Sequence, residues 1–263
     1  MDRVALVTGA SRGIGAAIAR RFAAGGMAVA IAARTAEEGD HRLEGSLAST
    51  VSDIKRAGGT ALPVVADIAR QADRERLVDT VQRELGPIDA LVNNAAVTYF
   101  EPVLEVSERH FQLMFEVQVR APFELAQRVL AGMRERRRGW ILNISSIAAE
   151  HPAGPPYRSL HGSTVYGMCK AAIERFSSGL ASEVYPDGIA INCLAPSGLV
   201  PTPGVVFHGL TRGVSTDRLE APEVMAEAAY ALCSGDPFKL TGRIVYARPL
   251  LEELGAPVPT SAL

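Results

Sequence analysis

The sequence has few cysteines: only Cys169, Cys193 and Cys233 occur among its 263 residues. Three cysteines so far apart provide neither a disulfide framework nor the paired ligands of a zinc site. We therefore expect a protein of a reducing compartment, the cytoplasm, with no bound metal. Each cysteine is expected to be a small buried hydrophobic residue.

Long hydrophobic runs and an excess of one charge sign are also absent. No window holds 18 uncharged apolar residues, and the first apolar run, 4–7, is too short for a signal sequence. Lys and Arg total 27 against 29 for Asp and Glu, so the net charge is -2. This balance disfavours binding of nucleic acid through bulk charge. We expect neither a nucleic-acid nor a membrane partner, and a composition that is 48% hydrophobic excludes disorder.

Seven short apolar runs recur along the chain, and the segments between them carry apolar residues at helical spacing. The runs are continuous rather than alternating, which is typical of parallel strands buried on both faces. Strands are predicted at 4–7, 29–33, 61–66, 88–92, 140–144, 189–194 and 243–247. Helices are predicted at 14–24, 47–57, 74–85, 108–135, 165–185 and 222–233.

This alternation predicts an α/β fold: a doubly wound (Rossmann) parallel sheet of about seven strands with helices on both faces. No linker divides the chain, so residues 1–254 are predicted to form a single domain, followed by an extended tail at 255–263. The longest segments outside the pattern are 34–45, 150–162 and 196–219. Irregular stretches of such length are usually functional loops.

A glycine-rich turn, TGASRGIG at 8–15, follows the first predicted strand and begins a helix. Gly9, Gly13 and Gly15 would let a pyrophosphate approach the free N–H groups of a helix N-terminus. The spacing is G-x3-G-x-G and differs from the G-x-G-x-x-G dinucleotide fingerprint. The turn is interpreted as a phosphate cradle, and the alternative is an ordinary tight turn.

Acidic residues are missing between Asp2 and Glu37. A dinucleotide with a free ribose 2′-hydroxyl is usually held by a carboxylate after the second strand. Here Arg34 ends that strand and Arg12 lies inside the glycine turn, and two guanidinium groups suit a 2′-phosphate. The predicted cofactor is NADP, with NAD as the alternative, and Arg34 could instead be a surface charge.

A phenol and an ammonium group lie one helical turn apart at Tyr166 and Lys170. A fixed cation lowers the pKa of a nearby phenol toward the value that proton transfer near neutral pH requires. Ser146 ends the fifth predicted strand, where ligands of such sheets bind, and its hydroxyl could hold a carbonyl oxygen. A chance pair and a solvent-facing serine are the alternatives.

In combination these segments resemble the short-chain dehydrogenase/reductase family over nearly the whole chain. The residues that carry the resemblance are 8–15, Asp67-Ile68, Asn93-Asn94-Ala95-Ala96, Asn143-Ile144-Ser145-Ser146, Tyr166 with Lys170, and Asn192 followed by Pro196. The resemblance implies a homo-oligomer, because the long helices at 108–135 and 165–185 commonly pair between subunits in this family.

The resemblance also implies roles for individual residues. Tyr166 would be the acid/base, Ser146 would orient the substrate oxygen, and Lys170 would hold the nicotinamide ribose and lower the Tyr166 pKa. Asp67 and Ile68 would flank the adenine. The predicted cofactor-binding residues are Gly9, Ser11, Arg12, Gly13, Ile14, Gly15, Arg34, Asp67, Ile68, Asn94, Ala95, Ala96, Tyr166, Lys170, Pro196, Val200 and Thr202.

The sequence departs from the family pattern in four places. Ala96 replaces a glycine, and Gln118 replaces the helical asparagine that usually anchors a proton-relay water. Ser146 and Tyr166 are 20 positions apart, with an apparent insertion at 150–162. Ser197 adds one residue between Pro196 and Gly198. Gln118 is predicted either to serve an altered catalytic relay or only to fill space behind the site.

The leading functional prediction is an NADP(H)-dependent oxidoreductase that interconverts a ketone or aldehyde and an alcohol. A non-catalytic nucleotide-sensing or scaffold protein, and an epimerase or dehydratase, are the alternatives. The apolar residues of segment 199–219 predict a mainly apolar small-molecule substrate under a covering loop. Those side chains could instead pack against a neighbouring subunit.

Overall fold

The computed structural model describes residues 3–157 and 161–260. The strands are β1 Val4–Thr8, β2 Ala28–Ala33, β3 Ala61–Val65, β4 Ile88–Asn93, β5 Gly139–Ile144, β6 Ile189–Ala195 and β7 Ile244–Tyr246. The helices are α1 Gly13–Ala24, α2 Leu47–Arg56, α3 Gln71–Glu84, α4 Glu108–Phe115, α5 Ala121–Arg136, α6 Thr164–Val184, α7 Pro203–Phe207, α8 Pro222–Ser234 and α9 Ala247–Glu253.

The strands form one parallel sheet in the order β3-β2-β1-β4-β5-β6-β7. The chain runs outward from β1 to β3 and then returns to the other side of β1 with β4. At such a reversal the connections leave opposite faces of the sheet, so a crevice opens at the carboxyl ends of β1 and β4. The predicted doubly wound α/β fold is confirmed.

Two apolar layers cover the sheet, because successive strand residues point to opposite faces. Val7 of β1 packs in a layer with Phe22 of α1 and Leu232 of α8. Its neighbour Leu6 packs in the other layer, with Leu125 of α5 and Leu180 of α6. Strands buried on both faces explain why the apolar runs of the sequence do not alternate.

The predicted helix at 108–135 is interrupted. A π-helical turn, Glu116–Arg120, separates α4 from α5, and Ala121 N–H donates to the Glu116 carbonyl. Pro122 has no N–H and cannot make the α-helical hydrogen bond to the carbonyl of residue 118, which accounts for a break at this place. Such single π turns are frequent at functional sites.

The C-terminal part also differs from the prediction. The strand expected at 243–247 ends at Tyr246, and α9 follows it, a helix that the sequence analysis did not predict. The predicted tail has no regular structure over 256–260, and its residues 261–263 lie outside the described residues, as do 158–160 of the apparent insertion and residues 1–2 of the predicted domain. Among the described helices, none is long and apolar enough to cross a membrane.

Candidate active site

A cavity of about 1620 Å³ lies at the carboxyl ends of the strands. Its wall includes every residue predicted to bind the cofactor, together with Ser146. Gln118 is the one predicted site residue that does not line it. The crevice of the sheet therefore brings together residues that lie up to 193 positions apart, from Gly9 to Thr202.

The glycine turn is held against the segment after β4. Asn94 Nδ2 donates to the carbonyl oxygens of Thr8 (2.9 Å) and Gly9 (3.1 Å), and the Thr8 hydroxyl accepts the Asn94 N–H at 3.0 Å. A Cβ added to Gly15 would lie 2.4 Å from Asn94 Nδ2, and Gly9 has a φ of +67°. Glycine is required at both positions, and the resulting open cradle at the start of α1 fits a pyrophosphate.

Arg12 reaches from this turn to the loop after β2. Its Nη2 donates to the Gly45 carbonyl at 2.6 Å and to the Thr35 hydroxyl at 3.1 Å, and its Nη1 lies 3.1 Å from His41 Nδ1. Arg12 Nε is buried without a partner. The guanidinium therefore shapes the loop and keeps one unused donor.

Positive charge is concentrated at this end of the cavity. Arg12, Arg34 and Arg42 all line it. Burial lowers the pKa of His41, and the positive charges of these three arginines lower it further, so the imidazole is biased toward its neutral form. The charge and the unused donor together fit an anionic group such as a ribose 2′-phosphate.

The opposite end of the cavity holds Ser146, Tyr166 and Lys170. Lys170 is 4% exposed, donates to the Ile144 carbonyl at 2.8 Å, and has its Nζ 5.5 Å from the centre of the Tyr166 ring. The Ser146 hydroxyl accepts the Ala148 N–H at 3.2 Å, which leaves its own proton available. The arrangement places a phenol, an ammonium and a hydroxyl donor around one space.

Gly167 determines how closely α6 approaches Ser146. A Cβ at this position would lie 2.5 Å from the Ala148 carbonyl oxygen, in the short turn that follows Ser146. Any larger residue would move Tyr166 away from Ser146. Gly167 was not among the predicted site residues, although an isolated glycine inside a helical pattern signals such close packing.

A polar network behind the site fixes the three elements that carry it. Asn93 of β4 donates to Asn143 of β5 at 2.8 Å, and Asn143 donates to Ser177 of α6 at 2.8 Å. Ser145 donates to Glu174 of α6 at 2.6 Å. Glu174 and Ser177 lie on α6 one and two turns beyond Lys170, so the network fixes the helix on which the ammonium and the phenol stand.

Gln118 lies in the π-helical turn and is 2% exposed. Its Nε2 donates to the Val97 carbonyl at 2.9 Å, whereas its Oε1 is buried without a partner. Val97 lines the cavity, directly after the Asn94–Ala96 segment. Gln118 therefore contacts the wall of the site from behind.

The extra residue Ser197 is hydrogen-bonded to a buried carboxyl group, Glu220, that was not among the predicted site residues. Its N–H donates to Glu220 Oε1 at 3.1 Å, and its hydroxyl accepts the Arg248 N–H at 2.9 Å. Glu220 is 1% exposed, lines the cavity, and its Oε2 has no partner. Burial raises the pKa of the Glu220 carboxyl. The order of residues along the chain gave no signal that positions 197, 220 and 248 meet.

A doubly wound sheet with an open glycine turn at one end of its crevice and a Ser, Tyr and Lys group at the other is the arrangement expected of a nicotinamide-dependent oxidoreductase. The family model for short chain dehydrogenase matches residues 3–206. The chain belongs to the short-chain dehydrogenase/reductase family.

Several relatives have nearly the same length as this chain. The short-chain reductase protein NovJ of Streptomyces niveus is 36% identical over 252 residues, covering 94% of this chain and 88% of that protein. L-sorbose reductase from Gluconobacter frateurii, solved with NADPH and L-sorbose, is 31% identical with a TM-score of 0.79, covering 93% of this chain and 94% of that one. A metagenomic short-chain oxidoreductase in complex with NADP is 26% identical with a TM-score of 0.76, covering 93% and 96%.

Proposed function

We propose that this protein is an NADP(H)-dependent oxidoreductase that interconverts a ketone or aldehyde and an alcohol. The observation that carries the proposal is the pairing of Tyr166 with the buried Lys170 in a cavity whose other end is lined by Arg12 and Arg34. A protein that only sensed nucleotides would not need this pair of side chains.

The residues at the nicotinamide end have distinct roles in carbonyl reduction. The bound nicotinamide would supply the hydride. The Ser146 hydroxyl donates a hydrogen bond to the substrate carbonyl oxygen, and the Tyr166 phenol gives that oxygen its proton as negative charge develops there. The Lys170 ammonium stabilises the phenolate that remains, and it is held by the Ile144 carbonyl at 2.8 Å. In alcohol oxidation the same phenolate accepts the proton.

The charges at the other end support NADP as the cofactor. Arg34 is exposed at the end of β2, Arg12 has an unused buried Nε, and Arg42 lies in the same wall. Two solved relatives are described with NADP or NADPH. Guanidinium groups around the adenosine end favour a phosphorylated ribose over a free hydroxyl.

The substrate end supports a mainly apolar substrate. Phe100, Leu113, Ile147, Val205 and Leu210 line it. Polar side chains also line the cavity, among them His208, Glu220 and Arg248. An apolar wall with a few directed polar groups is the usual form of a small-molecule site.

The reaction can be tested by following the near-ultraviolet absorbance of the reduced nicotinamide. We expect ketones, aldehydes or secondary alcohols to change this absorbance in the presence of NADP(H), with apolar substrates turned over fastest. A complete lack of change across such a panel would favour nucleotide sensing or an isomerising reaction over the proposed function.

Tyr166→Phe tests the catalytic assignment. The variant keeps the ring and removes the transferable proton, so turnover is expected to fall at least about a hundredfold while the dissociation constant of NADPH stays nearly constant. Tyr185→Phe, at a half-exposed position after α6, is the matched control. Wild-type turnover in the Tyr166→Phe variant would contradict the assignment.

A further inference from the structure

Helix α7 and the residue after it lie between the two ends of the cavity. Val205 of α7 lines the cavity, as does His208, which follows the helix. Phe207, the last residue of α7, is 49% exposed, and it therefore contributes little to the core. Packing in the core therefore does not explain why a large aromatic side chain lies at this position.

One contact joins Phe207 to the arginine-rich loop after β2. The guanidinium carbon of Arg42 lies 4.1 Å from the centre of the Phe207 ring, within the range of a cation–π interaction. Arg42 lines the cavity beside Arg12 and Arg34, and the positive charges of all three act on His41. Arg42 therefore links the predicted 2′-phosphate site to α7.

A second series of contacts joins α7 to the catalytic tyrosine. The rings of Phe207 and His208 meet edge to face at 5.4 Å, and His208 meets Phe100 in the same way at 5.7 Å. Phe100 in turn lies edge to face with Tyr166 at 6.3 Å. Aromatic pairs at these distances and angles attract one another.

We propose that Phe207 is a specificity-determining residue, through which a bound 2′-phosphate orders α7 over the substrate end of the cavity. This inference rests on the proposed use of NADP(H). A guanidinium can direct its N–H groups to a phosphate along its edges while its flat face lies on an aromatic ring. Arg42 can therefore contact the phosphate and Phe207 simultaneously.

The 2′-phosphate is therefore expected to strengthen binding of the cofactor and also binding of the substrate. A phosphate that immobilises Arg42 also immobilises Phe207, which lies on it. Through the edge-to-face contacts, the side chains of Phe100 and Tyr166 then lose mobility as well. NAD(H) has no group at this position and leaves Arg42 and α7 free to move. Coupling of this kind is reciprocal, so a bound substrate analogue should raise the affinity for NADP more than the affinity for NAD.

Two nucleotides without nicotinamide separate this effect from catalysis. Adenosine 2′,5′-bisphosphate and adenosine 5′-monophosphate differ only in the 2′-phosphate. We expect the bisphosphate, at saturation, to slow backbone hydrogen exchange in residues 203–210 at least about threefold, and the monophosphate to leave it unchanged. Calorimetric titration of each nucleotide establishes that the site is occupied.

Variants at position 207 test the contact itself. Phe207→Leu keeps an apolar side chain without a ring and is expected to lose the protection of 203–210 while it still binds the bisphosphate. Phe207→Tyr keeps the ring and is expected to retain the protection. Arg42→Gln should lose the protection, and combining it with Phe207→Leu should add no further loss.

The outcomes separate the inference from the proposed function. Equal protection of 203–210 in wild type and Phe207→Leu, or no protection despite bound bisphosphate, would overturn the inference and leave NADP use intact. Failure of the bisphosphate to bind more tightly than the monophosphate would overturn both. Protection that needs both the 2′-phosphate and an aromatic residue 207 would establish the coupling, whatever the substrate is.

Discussion

Arg12 and Arg34 contribute to the predicted 2′-phosphate site in different ways. Arg12 makes three polar contacts within the loop after β2, whereas Arg34 is exposed at the end of that strand. Arg12 both holds the loop in place and lines the cavity, whereas the Arg34 side chain can contact only the ligand. Substitutions at the two positions should therefore have different effects.

Arg34→Ala should weaken binding of NADPH by roughly tenfold and leave NADH nearly unchanged, since one charge-assisted contact contributes about 1.5 kcal/mol or more. Arg12→Ala should weaken both cofactors, because the loop loses its anchor. Fluorescence titration of the two reduced cofactors measures this, with Arg83→Ala on α3 as a control at an exposed arginine. Equal affinity of the wild type for NADH and NADPH would refute the arginine assignment.

Glu220 should make stability depend on pH in an unusual direction for a carboxyl group. Its pKa in the folded protein is raised by burial, so the folded state holds this proton more tightly than the unfolded state. Protonated Glu220 contributes fully to the free energy of unfolding at a pH below its pKa in the unfolded chain. This contribution is lost as pH rises through its pKa in the folded protein.

Glu220→Gln should therefore raise the melting temperature near neutral pH, because the amide oxygen can still accept the Ser197 N–H and no charge is buried. A gain of roughly 1 kcal/mol corresponds to about 2 to 4 °C in a chain of this size. The gain should shrink as pH falls below the normal range of a glutamate. Calorimetric melting of both proteins between acidic and neutral pH tests this, and a gain that is constant with pH would contradict it.

Among the elements, the π-helical turn at Glu116–Arg120 determines which groups the Gln118 side chain can contact. The turn presents the Gln118 side chain to the Val97 carbonyl, and the amide does not line the cavity. Gln118 is therefore better described as a positioning residue for the segment after β4 than as a group that contacts substrate. Its unpartnered Oε1 can accept a hydrogen bond from a water.

Gln118→Ala should lower the free energy of unfolding by about 0.5 to 1.5 kcal/mol, because the half-buried Val97 carbonyl loses its hydrogen-bond donor. Since Val97 lines the cavity, KM for the substrate should rise severalfold while the pH profile of kcat keeps its shape. Gln118→Asn has the same amide on a side chain shorter by one methylene. Its stability and its KM should lie between those of the wild type and those of Gln118→Ala. A shift of the pH profile in either variant would instead indicate a role in proton transfer.

Elements of the fold could be predicted to different extents. All seven strands were predicted, because buried parallel strands leave continuous apolar runs. Helix α9 was missed, since seven residues with Pro249 in the first turn offer too few periodic positions. The π-helical turn was missed because apolar spacing continues through 108–135, and the effect of Pro122 shows only in the backbone hydrogen bonds.

At the site, residues adjacent in sequence were easier to recognise than residues that meet through the fold. The glycine turn is one continuous segment from the end of β1 to the start of α1, and Tyr166 and Lys170 lie on one helix, so their spacing alone indicated their arrangement. Ser197, Glu220 and Arg248 come from three separate segments, and Arg42 meets Phe207 across 165 positions. Contacts of that kind follow from strand order and loop paths, which a single sequence does not specify.

For the whole molecule, the reversal of strand order between β1 and β4 accounts for a cavity that accepts an extended ligand. The phosphate cradle follows β1, and Arg34 follows its neighbour β2 on one side. Ser146 and Pro196 follow β5 and β6 on the other. The sheet thereby places the predicted 2′-phosphate site and the predicted catalytic residues at different ends of the cavity, as a dinucleotide with a remote phosphate requires.

We also expect the molecule to associate with copies of itself through α5 and α6. Phe123 of α5 is 44% exposed and meets Phe176 of α6 edge to face at 5.8 Å, and Met168 of α6 is similarly exposed. Exposed apolar side chains on adjacent helices are typical of an interface. A homo-oligomer would cover them.

Phe123→Glu should weaken this association at least about tenfold, a cost of about 1.4 kcal/mol, because a charge would have to be buried in an apolar contact. Light scattering after size-exclusion chromatography over a range of protein concentrations measures the shift toward smaller species. Leu104→Glu is the matched control, since Leu104 is fully exposed in a loop outside α5 and α6. A wild-type protein that is monomeric at all concentrations, or an oligomer that Phe123→Glu leaves as stable as before, would show that these helices do not form the interface.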